Sequence, residues 1–136
     1  METMLTVYPG ELRTQVTHVK SGYQMITDVP KEHGGKGESF SPTDLFCASL
    51  VSSMLSVMGG VARNPDFGAS IDGMKAGTTK IMRDSPHSVQ EIIIEFEIPG
   101  KKFTDKQKRL LEAAAHNSQV GKSLNNDLKQ TLIFRY

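Results

Sequence analysis

The chain has almost no cysteine: Cys47 is the single one among 136 residues. One cysteine excludes a disulfide within the chain and is typical of proteins kept in a reducing compartment. An excess of one charge sign is also lacking, because 16 Lys and Arg stand against 15 Asp and Glu. This balance leaves no electrostatic basis for binding nucleic acid or a membrane surface, so neither is expected as a partner.

Targeting and metal-binding patterns are missing as well. Residues 1–5 lack the basic start and the long apolar run of a signal peptide, which predicts a cytoplasmic protein. The four histidines show none of the tight spacings of a zinc site, so neither a metal nor another cofactor is expected. The length suits one domain over residues 1–136, large enough for a core of its own.

The longest stretch with few charges, residues 39–60, predicts a helix with a defined start and end. Ser41 suits the N-cap, Pro42 the first helical position, and Asp44 the first turn near the positive end of the helix dipole. Gly59-Gly60 indicates the stop. Apolar residues occupy most of the circumference, which is typical of a helix buried on all sides, while its many serines argue against a membrane span.

Shorter patterns surround this helix and give an α+β order. Alternating residues predict three strands within 4–28, with turns at Gly10 and at Ser21-Gly22, before a flexible glycine-rich loop over 29–40. Residues 70–83 are predicted to form a strand, or a turn and a strand, and further strands are predicted over 88–98 (ended by Pro99-Gly100) and 127–136.

A second helix is predicted to begin at Thr104, because Gln107 three residues later completes a capping pattern. Its buried side is assigned to Leu110, Leu111, Ala114 and Ala115.

Three stretches of the chain resemble the OsmC-like family, which includes the organic hydroperoxide resistance proteins. Residues 37–46, followed by Ala48-Ser49-Leu50, resemble the start of the first core helix, and residues 111–124 resemble the second. Residues 8–28 resemble the N-terminal strands. The resemblance implies an intertwined homodimer in which antiparallel sheets wrap around two central helices and the active sites lie at the subunit interface.

The chain departs from the family at the reactive positions. The two redox cysteines of the family fall at Ser53 and Ser118, and Gln119 stands where proline usually follows the second. The family reaction needs a thiolate that becomes a sulfenic acid and then a disulfide. A serine hydroxyl is a far weaker acid without such an oxidation series, so the chain is predicted to lack thiol peroxidase activity by the usual route.

The family's third site residue is an arginine that stabilises the thiolate, and Arg13 lies near its place in the first hairpin. An equally open interpretation makes Arg13 a solvated strand residue. The family's hydroperoxide-resistance branch has a glutamate after the helix-start proline, where this chain has Thr43. Asp44, the next residue, is interpreted as a capping acid.

Cys47 lies six residues before Ser53, which is about 240° around a helix and roughly 9 Å along it. We therefore interpret Cys47 as a core residue and not as a replacement for the lost thiol. The favoured hypothesis is a redox-inactive homodimer that keeps a pocket for an apolar or amphipathic small molecule.

Two alternatives stay open. The first is an active organic hydroperoxide reductase that uses Cys47 or an intersubunit thiol. The second is a serine hydrolase, which would use Ser53 or Ser118 without the usual G-x-S-x-G turn.

Overall fold

The α+β class predicted from the sequence is confirmed by a computed structural model, which describes residues 1–98 and 102–136. The predicted strand end at Pro99-Gly100 lies outside the described residues. The helices and strands follow the order β1 (Met4–Gly10), β2 (Arg13–His18), β3 (Gln24–Thr27), α1 (Pro42–Ala62), β4 (Lys75–Asp84), β5 (His87–Glu97), α2 (Asp105–His116), α3 (Gln119–Lys122) and β6 (Lys129–Arg135). The chain divides into two compact units, residues 1–46 and residues 47–136.

In the first unit, β1, β2 and β3 form the predicted antiparallel sheet in sequential order. The turn between β1 and β2 is centred on Glu11 and Leu12, which both have positive φ, at 58° and 61°. Such φ values are uncommon outside glycine. The backbone N–H of Leu12 donates to the Tyr8 hydroxyl at 3.2 Å, which helps to hold this turn.

The loop after β3 is folded tightly instead of forming a loose tether, because its backbone makes several hydrogen bonds of its own. Gly35 N–H donates to the Pro30 carbonyl at 3.1 Å, and Gly37 N–H donates to the Val29 carbonyl at 3.0 Å. A Cβ at Gly35 would lie 1.8 Å from the Val29 carbonyl oxygen. This contact excludes every other residue type at position 35 without a backbone shift.

The start of α1 is confirmed and its predicted end is wrong by two residues. Ser41 Oγ accepts from Asp44 N–H at 3.1 Å, and an Asp44 carboxylate oxygen accepts from Ser41 N–H at 2.9 Å, which forms a capping box. Gly59 and Gly60 remain helical, and the helix continues to Ala62. It ends before Pro65, because a residue that precedes proline is disfavoured in the helical conformation.

Helix α1 is buried along one face in a single chain, and its burial on all sides stays a prediction for the homodimer. Its buried residues lie along one face, where they join the core of the second unit: Cys47, Leu50, Val51, Met54 and Met58. Side chains on other faces remain partly or largely exposed. Among the described residues, α1 is also the one helix long and apolar enough to cross a membrane, a test that core helices pass equally.

The second unit contains a three-stranded sheet in the order β4-β5-β6. The β4–β5 pair is antiparallel, whereas β6 runs parallel to β5 because the chain crosses over through α2 and α3. This sheet is therefore mixed and not wholly antiparallel. The predicted buried face of β5 is confirmed, and it consists of Ile92, Ile94 and Phe96, followed by Ile98.

Helix α2 starts as predicted, since Thr104 and Gln107 form a complete capping box. Leu111, Ala114 and Ala115 are buried, as expected. Leu110 is 41% exposed, so its assignment to the buried side is wrong. It lies about 100° around the helix from Leu111, beyond the stripe that faces the core.

Candidate functional site

The chain changes direction where α2 ends, and a buried serine occupies the junction. Ser118 is not part of α2, which ends at His116, but is the N-cap of the short helix α3. Its hydroxyl oxygen accepts from the backbone N–H of Gly121 at 3.2 Å. The residue is fully buried, so its hydroxyl cannot bond to solvent water, and this contact supplies one of the hydrogen bonds that it needs.

Ser118 also contacts the first of the two aligned serines. Its hydroxyl donates to the hydroxyl oxygen of Ser53 on α1, with 2.8 Å between the two oxygens. The residues are 65 positions apart in the sequence. The structure thus brings together the two positions that the resemblance assigns to the family's cysteines.

An apolar groove lies between α1 and α2. Two adjoining cavities of about 600 and 570 Å³ share Val57, Val61 and Leu110 in their linings. Ser53 lies one helical turn before Val57 on the same stripe of α1. Asn117, which lines the first cavity, directly precedes Ser118. Ser53 and Ser118 themselves are not among the residues that line the two cavities.

Arg13, in the first unit, is held by ion pairs and is not simply solvated. One guanidinium nitrogen lies 3.3 Å from a carboxylate oxygen of Asp28 and also contacts the Glu38 carboxylate. The Arg13 side chain is 26% exposed. Its pKa is raised, chiefly by the hydrogen bond to Glu38, so the guanidinium stays charged at all ordinary pH values.

Asp28 anchors this cluster, and the sequence reasoning missed it. It is 1% exposed, and its carboxylate accepts from the backbone N–H groups of Glu38 at 2.9 Å and of Val29 at 2.8 Å. The hydrogen bond from Glu38 is the largest cause of its lowered pKa, against the opposing effect of burial. Glu38 was also missed. Asp28 lies directly between β3 and the glycine-rich loop, but this placement alone does not distinguish it from a solvated acid.

Two other predicted assignments agree with the structure. Cys47 is 3% exposed and lies in the apolar core, as expected for a structural thiol. Asp44 caps α1, as described above. Within residues 1–98 and 102–136, no group of three His, Cys, Asp or Glu side chains is arranged to hold a metal ion.

The profile of a protein family described as OsmC-like protein matches residues 35–132. The chain belongs to the OsmC-like family. A crystal structure from Psychrobacter arcticus 273-4, of a protein named for osmotic stress induction and detoxification response, is 38% identical to it. The match covers 99% of this chain and 96% of that one, with a TM-score of 0.93.

More distant structures share the fold. An organic hydroperoxide resistance protein OsmC from Legionella pneumophila is 16% identical, with a TM-score of 0.75 over 100% of this chain and 98% of its own. One from Vibrio cholerae, with captopril in one of its active sites, is 14% identical, with a TM-score of 0.73 over 98% of this chain and 92% of its own. No curated protein matches the chain. The family assignment connects the chain with proteins of organic hydroperoxide resistance.

Proposed function

We propose that this OsmC-like protein is a redox-inactive homodimer of single-domain chains that binds an apolar or amphipathic small molecule beside Ser53 and Ser118. We assign it to the cytoplasm and include Arg13 among its site residues. The observation that carries the proposal is the hydrogen bond of 2.8 Å between the two serine hydroxyls at the aligned cysteine positions.

The chemistry of the hydroxyl pair supports redox inactivity. In a thiol peroxidase, a thiolate attacks one peroxide oxygen, the O–O bond breaks, and the alcohol leaves after taking up a proton. The resulting sulfenic acid loses water when the second thiol attacks the sulfur, which gives a disulfide that an external dithiol reduces again. Ser53 and Ser118 offer neither a thiolate nor a sulfur that can form this bond.

The same pair gives little support to a serine hydrolase. A nucleophilic serine needs a base that takes its proton and an oxygen within reach of the substrate. Ser118 is fully buried, caps α3 and donates its hydrogen bond to the Ser53 hydroxyl, which is not a base. Cys47 is an equally poor peroxidase nucleophile, because a thiol buried in an apolar core is inert.

Exposed apolar side chains support the homodimer. On the first sheet, Leu5, Val7, Tyr8 and Ile26 are each at least half exposed in a single chain. The partly exposed faces of α1 add Phe46 and Leu55. Apolar surface on this scale is typical of a protein interface.

A cysteine-restoration experiment tests the loss of redox chemistry. The wild-type protein is expected to consume no cumene hydroperoxide above the protein-free rate with dithiothreitol as reductant. In a Cys47→Ala background, Ser53→Cys with Ser118→Cys is expected to form a disulfide on peroxide addition, measured by mass spectrometry, and to gain turnover. Hydroperoxide consumption by the wild-type protein that Cys47→Ala abolishes would instead establish the Cys47 peroxidase.

The matched control moves one thiol by a single residue. Ser52 neighbours Ser53 but is exposed and lies about 100° around α1. Ser52→Cys with Ser118→Cys is therefore expected to form no disulfide and to remain inactive. A disulfide in this control would mean that the pairing does not depend on the observed contact.

Ligand binding in the groove is tested with 2-phenyl-2-propanol, the unreactive alcohol that corresponds to cumene hydroperoxide. It is expected to raise the melting temperature of the wild-type protein, and Val57→Glu is expected to remove this effect by placing a charge in the groove. Ser56→Glu, on an exposed neighbouring position, is the control and should retain it. An equal effect on all three proteins would contradict the proposed pocket.

A further inference from the structure

Arg13 contacts two carboxylates through one and the same nitrogen. Asp28 and Glu38 both approach a single terminal amino group of the guanidinium. One carboxylate is enough to balance the charge of the arginine, so the second is in excess. The two acids differ in how firmly they are held, and this difference indicates which of them is replaceable.

Asp28 is the fixed partner. Its side chain is fully buried, and its oxygens accept from the backbone N–H groups of Val29 and Glu38 as well as from Arg13. Moving this carboxylate would leave three donors without their acceptor, which is costly in a buried position.

Glu38 is the exchangeable partner, because its side chain is 63% exposed. Ion pairs at such exposed positions contribute little to stability, since water solvates both charges well and side-chain entropy opposes the contact. The backbone N–H of Glu38 stays bound to Asp28 whichever way its side chain points. The carboxylate can therefore leave Arg13 without unfolding the loop.

Arg13 also has an unused donor. Among the residues that the structure describes, its Nε is the one buried side-chain nitrogen or oxygen atom without a hydrogen-bond partner. A guanidinium presents Nε–H and one terminal N–H side by side, in a spacing that matches the two oxygens of a carboxylate. The present contacts use the terminal nitrogen and leave Nε unsatisfied.

We propose that Arg13 binds the carboxylate of a small-molecule ligand side-on, through Nε–H and the terminal N–H, and that the ligand displaces Glu38 from the terminal nitrogen. Asp28 keeps the guanidinium oriented in both states. The ligand gains a hydrogen bond that Glu38 does not make. The contacts involved lie within residues 13–38. The inference goes beyond the proposed function, which includes Arg13 among the site residues without assigning it a ligand group.

The test is an NMR titration that observes the Arg13 Nε–H signal directly. Sodium propionate is added at pH 7 and constant ionic strength, with sodium chloride and uncharged 1-propanol as reference additions. Propionate alone is expected to move the signal downfield with saturation, since a new hydrogen bond deshields the proton. Arg13→Lys, which lacks Nε–H, identifies the signal. An unchanged chemical shift on addition of propionate, or an equal shift on addition of chloride, would overturn the proposal.

Two glutamate variants separate displacement from a general charge effect. Glu38→Gln removes the competing carboxylate and is expected to lower the propionate concentration at half saturation by about three- to tenfold. Glu11→Gln removes the same charge from an exposed residue paired with Lys36. This variant is expected to change the propionate concentration at half saturation less than twofold. Equal effects of the two variants would refute the role of Glu38. Ser123→Ala, at an exposed residue outside both proposed sites, should leave the titration unchanged.

Discussion

At the scale of single residues, Ser118 combines two roles in one buried hydroxyl: it caps α3 by accepting from Gly121 N–H, and it donates to Ser53. Ser118→Ala is expected to lower the free energy of unfolding by about 1–3 kcal/mol, because a helix cap is lost and buried polar groups lose a partner. Urea denaturation measures this change.

Ser123→Ala is the control for that substitution. Ser123 follows the same short helix, but it is exposed and its hydroxyl donates to the Gln119 carbonyl at 2.8 Å. Its replacement by alanine is expected to lower the free energy of unfolding by less than about 0.5 kcal/mol, as is usual for surface substitutions. Equal losses for the two alanine variants would show that burial of Ser118 adds nothing to its role.

At the scale of secondary-structure elements, the two glycines inside α1 weaken the helix. Gly60 is helical, and no atom lies within 4 Å of a Cβ built on it. Gly60→Ala is therefore expected to stabilise the protein by about 0.4–1 kcal/mol, chiefly because alanine restricts the unfolded chain. Thermal and urea unfolding measure the effect, and a loss of stability would indicate that the position is covered in the assembled protein.

Gly35→Ala in the loop after β3 is predicted to act in the opposite direction. The added Cβ would collide with the Val29 carbonyl oxygen, a backbone atom that cannot rotate away. The expected cost is about 2–3 kcal/mol, as for other overpacked positions. The same unfolding measurements test it, and a neutral result would mean that the loop relaxes freely.

The elements themselves could be predicted well, because capping and alternation are local properties. Ser41 and Thr104 mark helix starts through side chains that bond to backbone groups three residues away. The end of α1 could not be located in this way, since Gly59 and Gly60 permit a helix to stop without forcing it. Pro65, which restricts the backbone before it, was the stronger signal.

The site was predictable only in part, because its contacts depend on tertiary packing and leave no local sequence pattern. Ser53 and Ser118 could be named because the resemblance supplied their positions, whereas their contact depends on tertiary packing. Asp28 and Glu38 carry no local pattern that distinguishes them from solvated acids. Their pairing with Arg13 depends on a loop whose hydrogen bonds bring Glu38 back to the end of β3.

At the scale of the whole molecule, acid sensitivity should follow from Asp28. Its pKa in the folded state lies below the ordinary value of 3.8. Its stabilising contribution is therefore complete above that value and is lost as the pH falls through the folded pKa. Up to about one proton is taken up at Asp28 on unfolding in this range.

Asp28→Asn is expected to flatten the dependence of the unfolding free energy on pH below about 4, while lowering stability at neutral pH. Urea denaturation at a series of pH values from about 2.5 to 7 measures both effects. Asp72→Asn, at an exposed aspartate, should keep the wild-type pH dependence. Identical slopes for the two variants would exclude Asp28 as the source.

The proposed homodimer predicts a particle of twice the 15.0 kDa chain mass in sedimentation equilibrium. Leu5→Glu, on the exposed face of the first sheet, is expected to weaken association at least tenfold by placing a charge in the interface. Lys20→Glu, in the turn after β2, is the control and should leave the mass unchanged. A wild-type monomer at all concentrations would contradict the prediction.

The hydroxyl contact between α1 and the start of α3 has a further consequence for the cell. A disulfide at this place would be reduced and re-formed as the redox conditions change, and the rigidity of the region would change with it. A hydroxyl contact has the same strength whether the surroundings are oxidising or reducing. The contact at Ser118 is therefore insensitive to the redox state of its surroundings.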